Sequence, residues 1–161
     1  MERWRRLAIA ASVGSTLLCL GLILAPYLYS LGSLGLARWR WTQHGSPNYT
    51  VTVAQLCNCA FGEYRLTVRG GQVVAVETVG AVGPVTSGGP NPAGFREMTV
   101  EATFARAGRS LRENWWPGSR ERTRVEFDAA LGYVTRLDSF EPAAPHLFFT
   151  YVARDLQLDS P

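Results

Sequence analysis

The stretch Tyr64-Arg-Leu-Thr-Val-Arg-Gly-Gly-Gln-Val-Val-Ala-Val76 indicates the class of fold, because it has the pattern of a β-hairpin. Residues 64–69 alternate between apolar and polar side chains, the period of two expected of a strand with one buried face. Gly70 and Gly71 then separate this run from a second β-rich run. Both central positions of a type I′ turn require a positive φ, which glycine adopts readily. The sequence therefore predicts two antiparallel strands joined by a two-residue turn.

Strands are also predicted on both sides of this hairpin. Tyr49–Leu56 alternates between apolar and polar residues, which favours a half-buried strand before it. After it, Arg120–Asp128 and Gly132–Phe140 are predicted to form a second hairpin with a short loop between them. The last predicted strand, Leu147–Leu156, is apolar on both faces at its centre. That pattern is expected of a strand in the interior of a sheet.

One amphipathic helix is predicted between the two sets of strands. Thr99 can cap its start, and Trp116-Pro-Gly118 ends it because proline cannot continue the hydrogen-bond ladder. Its apolar residues form one stripe: Val100, Phe104, Ala107, Leu111 and Trp115. The predicted fold is α+β in the order β-β-β-α-β-β-β, a small antiparallel sheet with one helix packed on one face. Residues 80–97 are rich in glycine and proline, which predicts a flexible loop.

The N-terminal segment predicts a transmembrane helix. Residues 7–25 are nearly all apolar, and nineteen residues extend about 28 Å as a helix, close to the thickness of a bilayer's hydrocarbon core. Pro26 then opens an interfacial segment whose aromatic residues, such as Trp41, suit the edge of a membrane. We expect residues 1–37 to comprise a cytoplasmic tail, a signal anchor and this interfacial segment. Residues 38–161 are expected to form an extracytoplasmic domain.

A cleaved signal peptide is the alternative interpretation of the same segment. The apolar run is longer than the 7 to 15 residues usual for such peptides, and the small-x-small sequences in residues 33–37 lie well beyond its end. Arg3, Arg5 and Arg6 precede the run, and Arg38 and Arg40 follow it. This bias favours a cytoplasmic N-terminus and a domain outside the plasma membrane. Secretion after cleavage remains the alternative.

Composition and charge exclude two classes of protein. The sequence is 47% hydrophobic and 18% charged, which is not the composition of a disordered chain. The net charge of +3 comes largely from residues 2–6, so the remainder lacks the extended basic surface of a nucleic-acid-binding protein. The expected partners are the lipid bilayer, through residues 7–25, and an unidentified protein or cell-envelope component. No nucleic acid and no cofactor are expected.

Cys57 and Cys59 are the strongest candidates in the sequence for a disulfide, redox or metal site. Two cysteines one residue apart on a regular strand lie near the upper Cα separation for a disulfide, so a bond between them needs a turn or bulge at Asn58. We expect a structural disulfide. A redox pair, a metal site and unpaired thiols remain open, although the metal site would need further ligands and the sequence offers only His44 and His146.

Three arginines share one face of a predicted strand. Arg120, Arg122 and Arg124 alternate with other residues, so their side chains point the same way. Guanidinium groups make forked contacts with phosphate and carboxylate, so this face is a candidate anion-binding site. Glu126 and Asp128 continue the same face and dilute its positive charge. A solvated strand face is the simpler interpretation.

Five short motifs occur in a fixed order along the predicted domain. They are Asn48-Tyr49, Cys57-Asn-Cys59, Val68-Arg-Gly-Gly-Gln-Val73, Val100-Glu-Ala-Thr-Phe104, and Val125-Glu-Phe-Asp128 followed by Leu131-Gly-Tyr133. Together they resemble a family of small bacterial exported or membrane-anchored proteins known only as a domain of unknown function. The resemblance covers most of residues 41–157. It implies an extracytoplasmic location and a sheet-plus-helix fold, and it brings no established activity.

The sequence therefore predicts a membrane-anchored extracytoplasmic domain that acts as a binding or structural module. An enzyme is not expected, because a hydrolytic triad of Ser139, His146 and Asp138 has no supporting local signature. The alternative is an extracytoplasmic thiol- or metal-handling protein that uses Cys57 and Cys59.

Overall fold

The computed structural model describes residues 2–57, 60–80, 92–116 and 118–159. Two α-helices, six strands and one 3-10 helix form in these ranges. In chain order they are α1 (Glu2–His44), β1 (Tyr49–Cys57), β2 (Ala60–Arg69), β3 (Gln72–Thr78), the 3-10 helix (Pro92–Met98), α2 (Val100–Glu113), β4 (Arg122–Phe127), β5 (Val134–Glu141) and β6 (Ala144–Leu158). The α+β class and the predicted order of elements after α1 are confirmed.

The six strands form one sheet in the order β3-β2-β1-β6-β5-β4. All neighbouring pairs are antiparallel. Gly70 and Gly71 join β2 to β3 with φ angles of 55° and 74°, as the predicted hairpin turn requires. β6 lies between β1 and β5, which confirms the interior position predicted from its two apolar faces. The three strands before α2 and the three after it thus meet along β1 and β6.

The core lies between one face of the sheet and α2. Tyr49, Val51 and Val53 project from β1 into this core and are fully buried. The predicted stripe of α2 is confirmed from Val100 to Leu111, whereas Trp115 follows the end of the helix and is exposed. The side chain of Thr99 caps α2 by accepting a hydrogen bond from the backbone of Ala102 at 3.2 Å, as predicted.

α1 differs from the expected anchor because it does not stop near the membrane edge. It continues through Pro26 and across the expected boundary at residues 37 and 38 to His44. Trp41, assigned from the sequence to the membrane edge, is 6% exposed and belongs to the core, as does Ala37. Leu34, Ala37 and Trp41 share one side of the helix, and that side packs on the domain. The last third of α1 is therefore a structural element of the domain.

The glycine- and proline-rich segment contains a 3-10 helix that composition did not predict. Residues 81–91 of the predicted loop lie outside the described residues, but Pro92–Met98 forms the helix. Phe95 packs against Tyr64 with ring centroids 4.7 Å apart, and Met98 packs against the core. These two apolar side chains hold the segment on the sheet.

Candidate functional site

One end of the sheet carries exposed apolar side chains. Because the strands are antiparallel, the ends of β1, β3 and β5 and the starts of β2, β4 and β6 lie together there. Outside α1, seven large apolar side chains are exposed in the part of the chain that the structure describes. Six lie at this end, which we call the apolar end: Leu56, Val79, Trp115, Trp116, Phe140 and Phe148. The seventh, Val74, lies within β3.

Two phenylalanines form the centre of this surface on the sheet itself. Phe140 of β5 and Phe148 of β6 are direct cross-strand partners. Leu56 of β1 pairs with Thr150, two residues further along β6. Side chains at such positions are close enough to interact, so the three residues form one apolar patch on the face of the sheet that α2 leaves open.

The two tryptophans lie at the same end of the domain, on the side where α2 packs against α1. α1 and α2 run antiparallel, since Trp41 lies beside Glu101 and Leu34 lies beside Gly108. At the other end of this contact, the rings of Tyr27 and Trp115 are 5.3 Å apart. Trp116 in turn packs edge-on against Trp115, also at 5.3 Å. The apolar end of the domain therefore lies where the N-terminal part of α1 leaves it.

A polar cluster joins α1, β1 and α2 at the opposite end of this helix pair. The carboxylate of Glu101 accepts hydrogen bonds from the Trp41 indole at 3.1 Å and from the Tyr49 hydroxyl at 3.4 Å. The Tyr49 oxygen accepts a bond from the backbone N–H of Val100 at 2.9 Å. Burial raises the pKa of Tyr49 above its ordinary value, so its hydroxyl stays protonated and able to donate. These bonds fix the start of α2 against α1 and the sheet.

We expect Tyr49→Phe to lower the free energy of unfolding by about 1–3 kcal/mol, because it leaves the buried N–H of Val100 without an acceptor. Denaturant titration of the full chain in detergent micelles measures the change. Tyr29→Phe is the matched control, since Tyr29 is exposed on α1. Equal stabilities of the two variants would show that the Tyr49 hydroxyl does not stabilise the domain.

The three candidate arginines do not form an isolated cationic face. Arg122 and Arg124 lie on β4, at the edge of the sheet, and Arg120 precedes that strand. The guanidinium of Arg124 pairs with Glu126 at 2.9 Å. Other strands bring further ion pairs to the same open face of the sheet: Arg65 with Glu77, Arg154 with Glu63, and Arg136 with Asp138. Away from the apolar patch, the open face of the sheet is therefore a surface of mixed charge.

The two candidate cysteines lie at the edge of a segment that the structure does not describe. Cys57 ends β1, and its backbone pairs with Ala60 at the start of β2. Cys59 lies outside the described residues, so the disulfide, redox and metal interpretations stay predictions. Cys19, on α1, is a free and exposed thiol. Within the described residues, no group of three or more His, Cys, Asp or Glu side chains could hold a metal ion.

Two members of the hypothetical triad have other partners. Asp138 accepts a hydrogen bond from Arg136 at 2.7 Å, and Ser139 donates one to Glu121 at 3.1 Å. The two side chains lie on successive residues of β5 and therefore point to opposite faces of the sheet. The structure does not bring Ser139 and Asp138 together.

A comparison with protein families shows which family contains this domain. The model of a family of unknown function, DUF6174, matches residues 33–140. The chain belongs to this family. The match begins on α1 and includes Leu34, Ala37 and Trp41, so the family model contains the part of α1 that packs into the core. β6 lies beyond the match, although it occupies the middle of the sheet. Neither the curated proteins nor the solved structures gave a match.

Proposed function

We propose that this DUF6174 protein is a single-pass membrane protein that holds its domain outside the plasma membrane as a binding or structural module. The contrast in burial along α1 carries the proposal. Leu22 is 68% exposed, whereas Ala37 is 3% exposed on the same helix. The helix is long and apolar enough to cross a membrane. Only 6% of its most apolar stretch is buried in the protein. A bilayer would cover the leucines of α1 that the domain leaves exposed.

The packing of α1 supports an anchor that is retained rather than cleaved. The small-x-small sequences that could serve a signal peptidase lie in residues 33–37. Cleavage after Ala37 would remove Leu34 and Ala37, both of which pack in the domain. Loss of such side chains leaves a cavity and destabilises a core. The segment that a peptidase would release is therefore one that the fold uses.

The orientation follows from the basic residues that flank the apolar run. Arg3, Arg5 and Arg6 precede it, and Arg38 and Arg40 follow it. The excess before the run favours a cytoplasmic N-terminus. The domain would then stand outside, where the open face of mixed charge is the surface available to a protein or cell-envelope partner.

The alternative is a thiol- or metal-handling protein that uses Cys57 and Cys59. Alkylation of the denatured, unreduced full chain separates the two functions. Modification of Cys19 alone supports a structural disulfide, and modification of all three cysteines favours the alternative.

The anchor is tested by charges placed in the apolar run. We expect Leu17→Arg combined with Leu20→Arg to release the protein from membranes, since each arginine costs about 2.5–3.5 kcal/mol at the centre of a span. Both leucines are exposed, so the substitutions remove no contact within the domain. Alanine at the same two positions is the matched control.

The measurement is extraction of membranes from a bacterial expression host with alkaline carbonate, followed by intact mass. The unsubstituted chain and the alanine variant should stay in the membrane at full length, and protease added to spheroplasts should digest the domain. A soluble unsubstituted chain that lacks its N-terminal residues would contradict the proposal. Protection of the domain from protease would contradict the orientation.

A further inference from the structure

We propose that the apolar end rests on the bilayer surface, with Trp115 and Trp116 forming a second membrane contact beside the transmembrane helix. This inference rests on the proposed anchor and adds the face by which the domain meets the lipid. The domain would then have a fixed orientation relative to the bilayer rather than a variable one.

The depth of Trp115 follows from its contact with α1. Tyr27 lies two residues beyond Ala25, the last residue of the apolar run, which is about 3 Å along the helix axis. Because the Trp115 ring is 5.3 Å from that of Tyr27, it lies at nearly the same level as the edge of the hydrocarbon core. Tryptophan prefers this interfacial level, where lipid buries its ring and its N–H remains hydrated.

The distribution of the other apolar side chains favours lipid as the occupant. Phe140, Phe148, Leu56 and Val79 are exposed at the same end of the sheet as the tryptophans. Toward the opposite end, with the Gly70-Gly71 turn, the exposed large apolar side chains among the residues described are fewer: Val74 on the sheet, and Leu36 and Trp39 on the part of α1 packed there. Exposed apolar residues are thus concentrated at the point where the proposed span leaves the domain. A bilayer at that point would cover them together.

The charges around Trp115, Trp116 and Phe140 balance. The last turn of α2, the loop after it, the start of β4 and the β5–β6 turn carry three arginines and three glutamates: Arg112, Arg120, Arg122, Glu113, Glu121 and Glu141. Glu121 already accepts hydrogen bonds from Asn114 and Ser139. With no net charge to attract anionic headgroups, the contact depends on the apolar side chains. We therefore expect it in zwitterionic bilayers, with little dependence on salt.

The test uses tryptophan fluorescence of the full chain in zwitterionic phosphatidylcholine vesicles whose acyl chains carry bromine near the headgroup. Bromine quenches only the tryptophans that reach the bilayer. Trp4 lies just before the apolar run and reports the anchor, whereas Trp39 lies 14 residues beyond Ala25, about 21 Å along α1. The variant combines Trp115→Phe with Trp116→Phe, and Trp39→Phe is the control.

We expect the double variant to lose most of the quenchable emission, about threefold if the three interfacial tryptophans emit equally. Trp39→Phe should leave the quenched amplitude unchanged. Quenching in the double variant equal to that of the unsubstituted chain would overturn the contact, while the remaining Trp4 signal would show that the anchor holds. A chain that shows no quenching and does not float with the vesicles would overturn the anchor itself.

Discussion

Trp41→Ala should lower the free energy of unfolding by about 3–5 kcal/mol, the cost of removing a large buried aromatic side chain. Trp41 lies in the core, where its ring packs edge-on against Tyr49 with centroids 5.5 Å apart. Its indole also donates to Glu101. The substitution removes the contacts that hold the last third of α1 on the domain. Denaturant titration of the full chain in detergent micelles, followed by circular dichroism, measures the loss.

Trp39→Ala is the matched control for this prediction. Trp39 stands two residues earlier on the same helix and is 57% exposed. Its replacement should change the free energy of unfolding by no more than about 0.5 kcal/mol, as is usual for surface positions. Equal losses for the two variants would mean that α1 does not pack on the domain through Trp41.

Gly132→Ala should destabilise the domain by about 2–5 kcal/mol, the sum of a strained backbone and an overpacked contact. Gly132 has a φ of 82°, a conformation that side chains with a Cβ rarely adopt. A Cβ there would overlap the backbone carbonyl of Ala37 and lie 2.9 Å from the Cβ of Arg40. The β4–β5 turn would therefore push α1 away from the sheet. Thermal and denaturant unfolding in micelles both report this change.

Gly71→Ala is the control that measures the backbone strain alone, without the close contact to α1. Gly71 has a similar φ of 74°, but a Cβ there meets nothing within 4 Å. Its substitution should cost only the strain, about 1–2 kcal/mol. If Gly132→Ala costs no more than Gly71→Ala, α1 does not approach the β4–β5 turn as closely as the structure shows.

The elements that local sequence patterns specify were predicted correctly. The Gly70-Gly71 turn follows from the φ angles that it requires, and the start of α2 follows from the capping side chain of Thr99. The interior position of β6 follows from its two apolar faces. Each of these signals lies within a few residues of the feature that it predicts.

The features that depend on contacts between distant segments were not predicted. Residues 7–37 are all uncharged, so the absence of charge does not show which part of this stretch packs into a core. The signal that could have shown it is the spacing of Leu34, Ala37 and Trp41, which places them on one side of a helix. The apolar end required the strand register, because Phe140 and Phe148 become neighbours only when β5 pairs with β6.

A further difference concerns the basic face. The sequence places Arg122 and Arg124 on one side of a strand, and the structure confirms that both belong to β4. The partner strand supplies Asp138 opposite Arg124 and Arg136 opposite Glu126. Local alternation predicts which residues share a face, but the charge of that face depends on which strand lies beside it.

We propose that one continuous helix is both the membrane anchor and a part of the domain core. Amide hydrogen exchange of the full chain in lipid nanodiscs tests this continuity. We expect the amides of residues 34–43 to exchange as slowly as those of Val100–Glu113, because both segments are released only when the domain unfolds. Fast exchange across residues 26–44, with α2 still protected, would show a flexible linker between span and domain and would contradict the claim.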